Sequence, residues 1–94
     1  MKIRWLKRAT ESLIGIHNHI AAENAEAAKH SAHRIHSATK RLAMFPHSGR
    51  LGEVSGTREL VVSGTPYIVT YRVMSEEVQI LRVFHDAQQR QIIP

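Results

Sequence analysis

The apolar positions of the chain change their period once, near its middle. At the start, Ile3 and Trp5 share one face at period two, which predicts a short edge strand over the first residues. Ala9, Leu13, Ile16 and Ile20 then recur at spacings of four, three and four, the stripe of an amphipathic helix. Gly15 lies off that stripe and weakens the helix only slightly. Ala22-Glu23-Asn24 reads as a break. Asn24 is a good N-cap for a second helix, and Glu26 falls in the first turn, where negative charge is favoured. The second helix is expected from about Ala25 to Met44, with Ala28, Ser31, Ile35, Ala38, Leu42 and Phe45 on one narrow stripe and Pro46 ending it.

From His47 to Gly56 the chain reads as a loop, punctuated by Gly49, Gly52 and Gly56. Beyond it the period is that of strands. Thr57 to Ser63 carries Leu60-Val61-Val62, Tyr67 to Val73 is strongly β-prone, and Val78 to His85 is a third run. Gly64-Thr65-Pro66 and Ser75-Glu76-Glu77 are the turns between them, short enough to imply an antiparallel meander. The predicted fold is therefore α+β in the order β-α-α-β-β-β, a helical hairpin packed on a small, mainly antiparallel sheet. A length of 94 residues predicts one domain over 1–94. The pattern assigns nothing to the tail from Asp86 to Pro94.

Composition narrows the function. No apolar run is long enough to span a bilayer, and the basic start Met1-Lys2-Ile3-Arg4 is followed by no apolar signal core, so the expected compartment is the cytoplasm. The absence of cysteine excludes disulfides and thiolate metal sites. The net charge of +5, from 13 Lys and Arg against 8 Asp and Glu, points to an acidic partner, either nucleic acid or an acidic protein segment.

Seven histidines invite a metal test. His30, His33 and His36 are three apart on the second helix and drift across roughly 120° of its surface, on the side opposite the Ile35–Leu42 stripe. No acidic residue or cysteine completes a site beside them, so a solvated face is expected and neither metal nor cofactor. His17 and His19, two apart on the first helix, point in different directions. His85 ends an apolar strand. There it either acts as general acid or base, or bonds its ring to the backbone. Arg50, Arg58, Arg72 and Arg82 come from separate elements. Their guanidinium groups could converge on a phosphate, or pair with Glu53, Glu59, Glu76 and Glu77 at the sheet rim. No P-loop is present.

Four segments together carry a resemblance: Pro46-His47-Ser48-Gly49-Arg50-Leu51-Gly52, Gly56-Thr57-Arg58-Glu59-Leu60-Val61-Val62, Pro66-Tyr67-Ile68-Val69-Thr70-Tyr71-Arg72-Val73 and Ile80-Leu81-Arg82-Val83-Phe84-His85. In this order and spacing they resemble the ParE branch of the RelE/ParE toxins, over residues 1 to 88. The resemblance implies the helical hairpin and sheet already derived. It implies a cognate antitoxin, an acidic and partly disordered chain that wraps and neutralises the toxin. Lys29, Arg34, Lys40, Arg41 and Arg50 are the basic groups expected to meet it. It also implies one of two targets. ParE-like members poison DNA gyrase, whereas RelE-like members cut ribosome-bound mRNA. The nuclease alternative would rest on His85, Arg82, Arg58 and Arg72. Against it, Ile68 follows Tyr67 where RelE-like nucleases tend to carry a basic residue, no tyrosine follows Tyr71, and lysine is absent after Lys40. An inert member kept only to hold an antitoxin is the third reading.

Overall fold

A computed structural model of the chain describes residues 1–88, so the last six residues of the unassigned tail lie outside the described residues. Its elements are β1 (Lys2–Trp5), α1 (Lys7–Ala21), α2 (Ala25–Lys40), a 3-10 turn (Arg41–Ala43), β2 (Arg50–Leu51), β3 (Arg58–Val61), β4 (Tyr67–Met74) and β5 (Glu77–His85). The strands form one sheet in the order β1-β5-β4-β3-β2. Only β1 and β5 run parallel; every other pair is antiparallel. The helical hairpin and the three-strand meander are as the periodicity predicts, and β1 does lie at an edge.

The helix boundary rests on the residues picked for it. The Asn24 side chain accepts the Ala27 N–H at 3.0 Å, capping α2. The stripe of α1 turns Ala9 fully inward and packs Leu13, Ile16 and Ile20 around the core. From α2 and the turn after it come Ala28, Ile35 and Leu42, all buried. The sheet contributes Tyr67, Val69 and Tyr71 from β4 and Val78, Ile80 and Val83 from β5.

Three details depart from the pattern. First, α2 ends at Lys40 rather than near Met44, because Arg41–Ala43 tightens into a 3-10 turn. Phe45 therefore leaves the stripe and stands 61% exposed. Second, the glycine loop contains a strand: Arg50 and Leu51 pair with Glu59 and Arg58, making five strands where four are expected. Two residues are too few for a period of two to register. Third, Ile80 and Val83 both face the helices although three apart, an odd spacing that a regular strand forbids. The register slips between Thr70 and Tyr71, whose partners are Arg82 and Ile80, so Leu81 is an extra residue and the bulge restores Val83 to the core.

The β4–β5 hairpin closes through Ser75 and Glu76, at φ 51° and 62°. Both are left-handed, as a tight two-residue turn demands, and neither residue is the Asn or Gly that favours this geometry. Replacing Ser75-Glu76 with Asn-Gly is expected to stabilise the fold by about 1–2 kcal/mol, read as a higher urea midpoint with an unchanged slope.

Candidate functional site

The loop between α2 and β3 is built on a tyrosine. Tyr71 lies at the centre of β4 with no exposed surface. Its hydroxyl donates to the Pro46 carbonyl at 2.8 Å and accepts the Gly49 N–H at 2.9 Å. Arg58, opposite Tyr71 in the ladder, donates to the carbonyls of Gly49 at 2.8 Å and His47 at 3.2 Å. The four groups leave no room for a side chain at position 49, where an added Cβ would stand 2.7 Å from the Tyr71 oxygen and 2.9 Å from the Glu59 carbonyl. The Pro-His-Ser-Gly run of the sequence is thus a cap held down on the helix side of the sheet. Reading Tyr71 as core apolar surface misses this polar role, which only the register of β3 and β4 exposes.

The arginines do not converge. Alternation along β4 puts Thr70 and Arg72 on the face away from the helices, opposite to Val69 and Tyr71. By register, Arg50, Glu59, Thr70 and Arg82 form a row across that face. Arg50 bonds one Glu59 carboxylate oxygen through two nitrogens, at 3.0 and 3.2 Å. Arg72 donates to the Gln79 amide oxygen at 2.7 Å. Arg82 stacks over Phe84, its guanidinium carbon 5.1 Å from the ring centre. Arg58 is on the helix side, engaged with the loop. His85 is on the helix side too, opposite Tyr67. The Tyr67 and Tyr71 positions that face His85 and Arg58 are four residues apart on β4, roughly 13 Å.

His85 is half-buried, with its ring edge-on to Tyr67 at 5.4 Å between centres. Its Nδ1 accepts the Ala87 N–H at 3.0 Å. That bond needs the Nδ1 lone pair, so the ring is held as the neutral tautomer carrying its proton on Nε2. The Asp86 carboxylate, 3.4 Å from the same nitrogen, is a poorer partner than the backbone amide. The backbone bond foreseen for this histidine is present, made to an N–H rather than to a carbonyl.

The basic groups of the helices are mostly in solvent. Lys29, Lys40 and Arg41 are exposed. Arg34 instead grips the β3–β4 turn, its Nε and Nη2 donating to the Ser63 carbonyl at 3.0 and 2.6 Å. His30, His33 and His36 are exposed, and no group of three or more His, Asp or Glu among the described residues is placed to hold a metal ion. No helix among them is long and apolar enough to cross a membrane. Two hollows open on the surface. One, of about 500 Å³, runs between α2 and β3 over Leu60 and Val62, with Phe45 at its end. The other, of about 630 Å³, lies between α1 and the end of β5 and holds His19, Tyr67 and His85.

On β1 and β5, Glu77 accepts hydrogen bonds from the Gln79 amide at 2.7 Å and from Arg4 at 3.3 Å. The Gln79 bond, more than the Arg4 guanidinium, holds the Glu77 carboxyl below its ordinary value.

A family model described as ParE toxin of type II toxin-antitoxin system, parDE, matches residues 3–90. A Sinorhizobium fredii protein named "Putative toxin Y4kP" is 43% identical over 88 residues, which is 94% of this chain and 91% of that one. Toxin RelE2 of Caulobacter vibrioides is 36% identical over 87 residues, 93% of this chain and 97% of its own. Among solved structures, one titled "Chromosomal ParDE TA system from P. aeruginosa" superposes with a TM-score of 0.82 at 30% identity, covering 90% of this chain and 95% of that chain. The fold and the matched segments are those of a small toxin of the RelE/ParE class. The chain belongs to the ParE toxin family of type II toxin–antitoxin systems.

Two measurements test the local geometry. Tyr71→Phe leaves the buried Gly49 N–H without its acceptor and is expected to cost about 1–3 kcal/mol. Thermal melts should record the loss, with amide exchange accelerated at Gly49 and unchanged in α1. For Glu77, a folded value below the unfolded one means that its contribution is present above the unfolded pKa and is lost as pH falls through the folded value. Glu77→Gln is therefore expected to flatten the acid limb of stability against pH, measured as urea midpoints between neutral and strongly acid buffer. An unchanged acid limb would show that the Gln79 and Arg4 bonds do not persist in solution.

Proposed function

We propose that the chain is a gyrase-directed toxin of the cytoplasm, neutralised by a cognate antitoxin that is acidic and partly disordered. The observation that carries the target is the scatter of the nuclease set. A metal-independent RNase needs a base for the 2′-OH, an acid for the leaving oxygen, and cations around the phosphorane, all about one phosphate. Here Arg72 and Arg82 are on one face of the sheet, and Arg58 and His85 on the other. Arg58 spends its guanidinium on two loop carbonyls, and His85 spends Nδ1 on a backbone amide. No second proton-transfer group stands beside His85, since Tyr67 meets it edge-on from a buried position. Loss of one such group typically costs about 10²–10⁴ in rate. Poisoning a protein target needs a complementary surface and no proton-transfer pair. Membership of the ParE family and the likeness to a ParDE structure support the same target.

The antitoxin reading draws on the charge of +5 and on the exposed Lys29, Lys40 and Arg41, with Arg34 and Arg50 retaining exposed edges beside their internal bonds. The decisive comparison puts two assays side by side. The purified toxin is expected to inhibit supercoiling by gyrase or to trap cleaved DNA on it, to do so equally with His85→Ala, and to leave ribosome-bound mRNA intact. Codon-specific mRNA cleavage that disappears in His85→Ala, with gyrase unaffected, would reverse the assignment in favour of the ribosome-dependent nuclease.

A further inference from the structure

The outer edge of β3 is only half covered. Strand β2 pairs with Arg58 and Glu59 and goes no further, because the chain leaves the sheet at Gly49 to reach the Tyr71 hydroxyl on the helix side. Along the β3–β4 ladder the Val62 N–H bonds the Tyr67 carbonyl, and Leu60 lies opposite Val69. That alternation turns the backbone groups of Leu60 and Val62 towards β4, and those of Glu59, Val61 and Ser63 outward. Glu59 meets β2, and the Ser63 carbonyl is taken by Arg34. Val61 lies between them, 52% exposed, its N–H and C=O without a partner among the described residues. An unpaired strand edge of this kind is a template for another strand.

The 500 Å³ hollow lies directly beside this edge. Leu60 and Val62 supply its apolar floor, and Phe45 stands exposed at its end. Every ionisable residue that lines it is basic: His33, Arg34 and Arg41. We propose that this edge and hollow receive an extended, acidic segment of the antitoxin. The segment adds as a short strand in line with β2, exchanging backbone hydrogen bonds with Val61. It lays an apolar side chain on Leu60 and Val62 against Phe45, and sets a carboxylate at Arg41.

This inference rests on the antitoxin reading above and specifies where and in what conformation the partner binds. Charge selects the occupant. A second copy of the chain would bring the same basic wall against its own image in a molecule already at +5, whereas an acidic segment neutralises it. Geometry sets the length. With β2 at one end and Arg34 on Ser63 at the other, the open edge admits only about three residues.

Amide exchange followed residue by residue tests the proposal. In the free toxin, Val61 is expected to exchange near the rate of an unstructured amide. With the purified antitoxin encoded by the adjoining gene at saturation, it is expected to slow about 100-fold. Val61→Pro removes the outward N–H without breaking a bond to β4 and is expected to weaken antitoxin binding about 10-fold. Val61→Ala keeps the N–H and is expected to bind within about 3-fold of wild type. Arg41→Glu, which leaves the edge intact, is expected to weaken binding at least as much as Val61→Pro. Unchanged exchange at Val61 in a complex that protects other amides would overturn the proposal and leave the antitoxin reading standing. Protection of Val61 in the toxin alone, growing with its concentration, would overturn it in favour of a second copy. An adjoining-gene product that does not bind would remove both.

Discussion

A single phenol oxygen links the two halves of the molecule. The Tyr71 hydroxyl, buried at the middle of β4, bonds one carbonyl and one amide of the segment that follows the helices. A buried hydroxyl without partners is costly, and so is a buried amide, so each requires the other. The consequence spreads outward. With Pro46 and Gly49 held, Arg50 is delivered to Glu59 and β2 can form. With the chain pulled over the helix side, the remaining edge of β3 stays open. Arg58 reinforces the arrangement from the neighbouring strand. The Pro-His-Ser-Gly run and the Arg58 and Tyr71 positions, distant in sequence, are thus one physical unit.

Much of the fold is legible along the chain because helix and strand periods are local. Four stripe residues of α1, the Asn24 cap and the three β-rich runs each announce themselves within a few positions. What escapes the pattern depends on partners. The Leu81 bulge shows only when β4 is laid beside β5, since Ile80 and Val83 have the wrong spacing for one face of a flat strand. Strand β2 has no period of its own. The exposure of Phe45 follows from a 3-10 turn that rotates the chain by less than the helix would.

The candidate site is less legible still, and for an electrostatic reason. A sequence displays charges but not what they touch. Arg34, Arg50, Arg58 and Arg72 look equivalent in the chain. In the fold they are a clasp on a turn carbonyl, half of an ion pair, a support under a loop and a donor to an amide. Much of the arginine that suggests a binding surface therefore serves the chain itself. The net charge open to a partner gathers on α2, where Lys29, Lys40 and Arg41 remain in solvent.

The parallel pairing of β1 with β5 bears on how the protein comes into being. Lys2 lies beside Glu77 and Trp5 beside Ile80, so the first strand has no sheet to join until the last one exists. Helices α1 and α2 can form as they emerge, but α1 rests on β5 and stays without its floor until then. Contacts this far apart in sequence make closure late and slow relative to a helical bundle. A growing chain accordingly carries its apolar helical stripes uncovered through most of synthesis. The finished surface, and whatever harm it does, arises only once translation has all but ended.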